Sequence, residues 1–133
     1  MEPSRTAARP NGVSPYRATV AELGRDLLLL SVSGELDLYA EPELMRSLAA
    51  ADELGASTVI LDLSGVAFLD STICGALVRE AKRRRRAGGE LVLVGNGSHA
   101  TQALELAGID RVVRLFPTLH SALETLLVRE DRR

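Results

Sequence analysis

The stretch Asp62-Leu63-Ser64-Gly65-Val66-Ala67-Phe68-Leu69-Asp70-Ser71-Thr72 decides how this chain is read: an apolar strand, a glycine turn, a second apolar run, then hydroxyls at a helix start. Just upstream, Thr58, Val59, Ile60 and Leu61 form a β-branched apolar run of the length expected for a strand buried on both faces. Ser64-Gly65 predicts a break in that strand, after which Val66 to Leu69 continue apolar. Apolar residues then recur at Ile73, Ala76, Leu77 and Ala81, a helical spacing, so a helix begins near Asp70 or Ser71. Both are good N-cap types, because a side-chain oxygen there accepts a hydrogen bond from an amide that has no partner inside the helix. The sequence does not choose between them. A hydroxyl in that first turn suits a regulatory phosphate, since free amides and the positive end of the helix dipole face it; a plain polar helix start would look the same.

Working outward, residues 1–15 contain Pro3, Pro10, Asn11, Gly12 and Pro15 with few large apolar side chains, and read as a flexible tail. Tyr16, Ala18 and Val20 alternate with polar neighbours as an edge strand would, and Gly24-Arg25-Asp26 can turn the chain into Leu27 to Val32. These two strands are expected to form an antiparallel hairpin. Leu44, Leu48, Ala51 and Leu54 mark one face of a helix closed by Gly55. The helix from Ser71 runs to about Ala87 and stops at Gly88-Gly89, and Leu91 to Val94 form another strand. Gly95-Asn96-Gly97 turns the chain, Ser98 caps a helix through Ala107, Gly108 ends it, and Val112 to Leu115 supply a last strand. Pro117-Thr118 lead into a helix bearing Leu119, Leu123, Leu126 and Leu127. Strands alternating with helices imply parallel crossovers and an α/β architecture.

Composition bounds the rest. The 133 residues are 46% hydrophobic, which suits one domain with one core. Two phenylalanines, two tyrosines and no tryptophan make that core aliphatic. The single cysteine, Cys74, excludes an internal disulfide; near a helix start it is either an activated thiol or, more commonly, a small buried hydrophobe. A net charge of −2 gives no nucleic-acid signature. Met1 to Val13 lack the apolar stretch of a secretion signal, and Leu27 to Leu30 is too short to span a bilayer, so a cytoplasmic protein with no membrane association is expected. The run Lys82-Arg83-Arg84-Arg85-Arg86 spreads around the helix and reads as a solvated helix end that complements the dipole, or else as a contact for an acidic partner surface.

Enzyme signatures are thin. Leu69-Asp70-Ser71-Thr72-Ile73 lacks the glycines of a hydrolase nucleophile elbow, and His99 and His120 read as solvated imidazoles near helix starts. Gly95-Asn96-Gly97-Ser98 lacks the lysine and length of a phosphate-binding P-loop and reads as a turn. No spacing of histidine, cysteine and carboxylates suggests a metal site, and no cofactor is expected.

The segments GELD (Gly34 to Asp37), DLSGVAFLDST (Asp62 to Thr72) and GGELVLVG (Gly88 to Gly95) occur in the order and approximate spacing of a STAS domain, and together they resemble the bacterial anti-sigma factor antagonists. The resemblance covers about Tyr16 to Val128. It implies a single domain over 16–128 between terminal tails 1–15 and 129–133, with a mixed, mostly parallel sheet, the N-terminal hairpin and about four helices. In that family the first serine after FLD is phosphorylated by a partner kinase that is itself an anti-sigma factor; here that residue is Ser71. The implied function is a partner switch in which the surface around Asp37, Asp70, Ser71, Thr72 and Ile73 docks on the anti-sigma factor serine kinase, displacing a sigma factor, until phosphorylation ends the binding. Asp37 is equally readable as a turn or cap residue before the next helix. Ile73 departs from the family, whose members usually carry glycine there. It either turns into the core or, the reading favoured on sequence, projects beside Ser71 and restricts which kinase docks. STAS domains also serve as scaffolds, small-molecule sensors and partners of membrane transport machinery, which is the alternative function. The sequence leaves the oligomeric state open between a monomer and a weak dimer.

Overall fold

A computed structural model describes residues 15–24 and 26–131, so the expected N-terminal tail, apart from residue 15, position 25 of the expected turn and the last two residues of the expected C-terminal tail lie outside the described residues. The chain runs β1 (Arg17–Gly24), β2 (Leu27–Leu36), α1 (Glu41–Glu53), β3 (Thr58–Leu69), α2 (Ser71–Arg86), β4 (Glu90–Val94), α3 (His99–Leu106), a 3-10 turn (Ile109–Arg111), β5 (Arg114–Phe116) and α4 (Leu119–Asp131). The sheet order is β1-β2-β3-β4-β5. β1 pairs antiparallel with β2, and every later neighbour is parallel, which gives the expected hairpin and mixed sheet.

Successive parallel strands step in one direction across the sheet, so right-handed crossovers put α1, α2 and α3 on the same face. Leu44, Leu48 and Ala51 of α1, Ile73, Leu77 and Ala81 of α2, and Ala100 and Leu104 of α3 pack with Leu28, Leu30, Val59, Leu61, Leu63, Leu91 and Leu93 of the strands in the main core. The alternate strand residues Leu27, Ile60, Val92 and Val94 pack against Ala122 and Leu126 of α4 on the other face. Each of the fully buried leucines, isoleucines and valines among them contributes about 1.5–3 kcal/mol. α4 continues to Asp131, three residues past Val128.

Three expectations are corrected. Ser64-Gly65 does not break β3, which runs unbroken through 12 residues. β2 supplies the reason, because it continues to Leu36 and offers ladder partners beyond the glycine. The register steps from Ser31↔Asp62 to Ser33↔Gly65 and from Gly34↔Val66 to Glu35↔Phe68, so β3 absorbs one extra residue at each bulge. Gly65 suits the first bulge: a Cβ there would sit 3.0 Å from the Ser33 Cβ. Second, the last strand begins at Arg114 rather than Val112, because the 3-10 turn after Gly108 uses the Val112 and Val113 amides, both donating to the Ile109 carbonyl.

Third, the basic run is not a uniformly solvated helix end. Arg84 is only 3% exposed. Its Nε donates to Glu80 Oε2 (2.7 Å), and one terminal nitrogen reaches both the Leu48 carbonyl (3.0 Å) and Asp52 Oδ1 (2.7 Å). Arg83 bridges Glu80 (2.7 Å) and Asp52 (2.9 Å), and these carboxylates, Glu80 foremost, push its already high pKa up further. Arg85 donates to the Val112 carbonyl at 2.7 Å. The last turns of α2 lie against α1 and the loop after it, where Asp52 and the Leu48 and Ala56 carbonyls offer acceptors, and a planar guanidinium can serve several acceptors at once. Lys82 and Arg86 remain exposed, as the sequence suggests.

Candidate functional site

The candidate site forms where β2 and β3 end side by side. Leu36 pairs with Leu69, and the Asp70 amide donates to the Leu36 carbonyl at 3.1 Å. Asp37 and Asp70 are therefore the residues that leave two paired strand ends together. Asp70 is the N-cap of α2: its backbone is extended (φ −103°, ψ 177°) and its Oδ1 accepts from the Ile73 amide at 3.2 Å. This settles the choice between Asp70 and Ser71. With the cap supplied by aspartate, Ser71 and Thr72 occupy the first two helical positions with both side chains exposed. Among the described residues the Ser71 hydroxyl makes no side-chain hydrogen bond.

Asp37 shapes the β2–α1 turn. Its Oδ1 accepts from the amides of Tyr39 (3.1 Å) and Ala40 (3.2 Å), while α1 itself starts without a side-chain cap. The turn reading of Asp37 therefore stands, and Asp37 directly follows Leu36, whose carbonyl accepts from the Asp70 amide. Ile73 is corrected: it is 0% exposed and lies in the core with Leu77. The Asp70 cap fixes the rotation of the first turn, which sends position 73 inward together with 74 and 77 while 71 and 72 face out. Its side chain is not on the surface that Ser71 and Thr72 present. Cys74, the next residue, is buried, and burial first, then the Asp70 charge, raises its thiol pKa. It is the small hydrophobe of the two readings, not an activated thiol.

Three exposed apolar residues flank the site along the chain. Leu38 (58% exposed), Tyr39 (46%) and Phe68 (47%) stand in solvent on the segments that carry Asp37 and Asp70. Phe68 was legible only as part of an apolar run; the second bulge pairs it with Glu35 and turns it opposite to buried Leu69.

The competing sites gain nothing from the structure. His120 pairs with Glu124 at 3.2 Å on the surface of α4, which packs on the sheet face opposite α2. His99 is exposed at the start of α3. At the Gly95–Ser98 turn, Ser98 and Thr101 form a capping box, so the helix start already has its acceptor. The hollow beside it is lined by Glu105 and Asp110, which oppose a phosphate. Among the described residues no group of histidine, cysteine and carboxylate side chains could hold a metal ion. No helix among them is long and apolar enough to cross a membrane.

An α/β domain with an exposed hydroxyl pair at the start of α2 is the class that fold and site define. Residues 18–122 match the STAS domain family, and the chain belongs to that family. It is 34% identical over 113 residues to Rv2638 of Mycobacterium tuberculosis, named as a candidate anti-anti-sigma factor, covering 83% of this chain and 75% of the relative. It is also 30% identical over 95 residues to the anti-sigma-F factor antagonist RsfB of the same organism, covering 71% of this chain and 77% of RsfB. Among solved structures, an anti-sigma factor antagonist from Mycobacterium paratuberculosis superposes with a TM-score of 0.71 at 25% identity, over 84% of this chain and 93% of that one.

Proposed function

We propose that the protein is an anti-sigma factor antagonist that binds an anti-sigma factor serine kinase to release a sigma factor, and that phosphorylation of Ser71 ends the binding. The observation that carries this reading is the exposed Ser71 hydroxyl at the first position of α2, relieved of capping by Asp70. The relatives named as antagonists support the class. The SpoIIAA antagonist, whose fold this chain shares at TM-scores of 0.68 and 0.62, has been solved in unphosphorylated and phosphorylated forms.

The switch is local electrostatics. A kinase must approach Ser71 over a surface combining exposed Leu38, Tyr39 and Phe68 with Asp37, Asp70 and Thr72. Unmodified, that surface offers apolar contact around a neutral hydroxyl. A phosphoserine adds a charge of about −1.5 to −2. The helix start tolerates it through the first-turn amides and the dipole, so the fold need not change. Beside Asp70 and Asp37, however, it concentrates negative charge where a partner fitted to a hydroxyl would have to repel or desolvate it.

Intact mass spectrometry after incubation with ATP, magnesium and a panel of purified anti-sigma factor kinases, including the anti-sigma-F factor of Mycobacterium tuberculosis, tests the reading. One added phosphate, lost in Ser71→Ala, is expected. Modification that persists at Thr72 in Ser71→Ala, or no modification by kinases that modify their own antagonists, refutes it.

A further inference from the structure

The fold sorts the cations of α2 into two groups. Arg83 and Arg84 are held by Glu80 and Asp52, and Arg85 by the Val112 carbonyl. Arg79, Lys82 and Arg86 are exposed, and among the described residues none of the three makes a hydrogen bond or an ion pair. Glu80, the one carboxylate of α2, is already taken by Arg83 and Arg84. At 3.6 residues per turn, Ser71, Gly75, Arg79, Lys82 and Arg86 fall within about 80° of one another, so these cations continue the face of the helix that begins with Ser71. Arg79 and Lys82, and Lys82 and Arg86, are like charges three and four residues apart, which weakens a helix. Of the three, the dipole accounts for Arg86 alone, because its effect is confined to the last turn. Gly75 weakens the helix as well, although a Cβ there would meet only a terminal nitrogen of Arg79 at 3.5 Å, an ordinary contact. Packing within the chain explains neither the cations nor the glycine.

We propose that Arg79, Lys82 and Arg86 form a basic stripe that docks an acidic surface of the anti-sigma factor kinase, an inference that rests on the function proposed above. Ser71 to Arg86 covers about 22 Å of helix, and a protein partner typically covers about 800 Å² of a surface, a patch about 30 Å across. A kinase seated over Ser71 therefore reaches the stripe along the same face. Gly75 leaves the helix low between the two, and the Arg79 guanidinium lies back over it on the side toward Ser71. Solvated cations at the margin of an interface act chiefly on encounter and orientation, by steering an acidic surface into register. An acidic protein fits better than other anionic partners. Three cations on a chain of net charge −2 make a weak nucleic-acid footprint, and no large exposed apolar side chain lies on α2 to enter a lipid surface.

The test measures association of the full-length protein, by surface plasmon resonance, with the kinase of the panel that binds it most tightly, alongside Ser71 phosphorylation by mass. Arg79→Gln with Lys82→Gln removes two charges and leaves Arg86 on the dipole. Leu127→Glu with Val128→Glu, on α4 across the sheet, makes the same change in net charge at exposed positions. With unchanged circular dichroism spectra, the stripe variant is expected to associate at least about fivefold more slowly than the parent at about 20 mM salt, and within about twofold of it at about 500 mM, where the Debye length is about 4 Å. The α4 variant is expected to follow the parent at both. Phosphorylation of the stripe variant should show a lower kcat/KM and an unchanged kcat, since docking and not chemistry is altered. Association of the stripe variant within about twofold of the parent at low salt, or equal slowing in the α4 variant, overturns the stripe, while phosphate on Ser71 leaves the switch standing. Binding to a random DNA duplex or to phosphatidylserine vesicles that is lost in the stripe variant, with kinase association unaltered, overturns it as well. A panel in which no kinase binds the parent overturns both the stripe and the switch.

Discussion

Replacing Arg84 by methionine tests the least anticipated feature of the fold. Methionine keeps much of the stem that packs between α1 and α2 but removes the donors to Glu80, Leu48, Asp52 and, at 3.4 Å, Ala56. Removing one member of a buried pair typically costs about 3–5 kcal/mol, because the other charge is left without compensation. Glu80 keeps Arg83 at 2.7 Å, but that guanidinium is half exposed, which puts the expected loss near the lower end, about 3 kcal/mol. In urea unfolding followed by circular dichroism, that loss moves the midpoint down by about 1–3 M. Glu80→Leu combined with Arg84→Met removes both buried charges and is expected to be more stable than Arg84→Met alone, with a coupling of at least about 1 kcal/mol. A single variant within about 0.5 kcal/mol of the parent, or a double variant that loses the sum of the two single losses, would refute the buried-pair reasoning.

Four further outcomes are expected. Ile73→Ala empties a fully buried core position and should cost about 2–5 kcal/mol in the same unfolding measurement; a loss below about 1 kcal/mol would return Ile73 to the surface. Asp70→Ala should cost about 1 kcal/mol through the lost cap, whereas Ser71→Ala should stay within about 0.5 kcal/mol, an ordering that differential scanning calorimetry can check. Cys74 should be alkylated far more slowly in the native protein than in urea at pH 8, since burial keeps it a thiol; equal rates would contradict its placement. The native state holds that proton more tightly than the unfolded chain, so the contribution of Cys74 to stability is intact below the usual thiol range and is lost as pH rises above it.

Much of this was legible in the sequence because periodicity reports burial directly. The β-branched run at Thr58 and the three-to-four spacing from Ile73 gave β3 and α2, and the STAS resemblance tied the exposed hydroxyls to a family. What stayed hidden depends on neighbours distant in the chain. Ser64-Gly65 looks like a stop, and only the continuation of β2 through Leu36 makes it a bulge. Five successive cations look solvated, and only the acceptors that folding brings around Arg84, the Glu80 and Asp52 carboxylates and the Leu48 carbonyl, draw it inward. Asp70 and Ser71 are both sound caps in isolation, and the Asp70 amide bonded to Leu36 decides between them. The inward turn of Ile73 follows from that cap, while the exposure of Phe68 follows from a bulge that no local pattern announces.

The central claim is that one phosphate on Ser71 turns binding off, and calorimetric titration of an anti-sigma factor kinase with the unmodified and the Ser71-phosphorylated protein measures it directly. Charge set against a surface fitted to a neutral hydroxyl costs several kcal/mol, so phosphorylation should weaken binding by at least about 100-fold, with an unchanged circular dichroism spectrum. Equal affinities for the two forms, at a site shown by mass to be fully phosphorylated, would contradict the account.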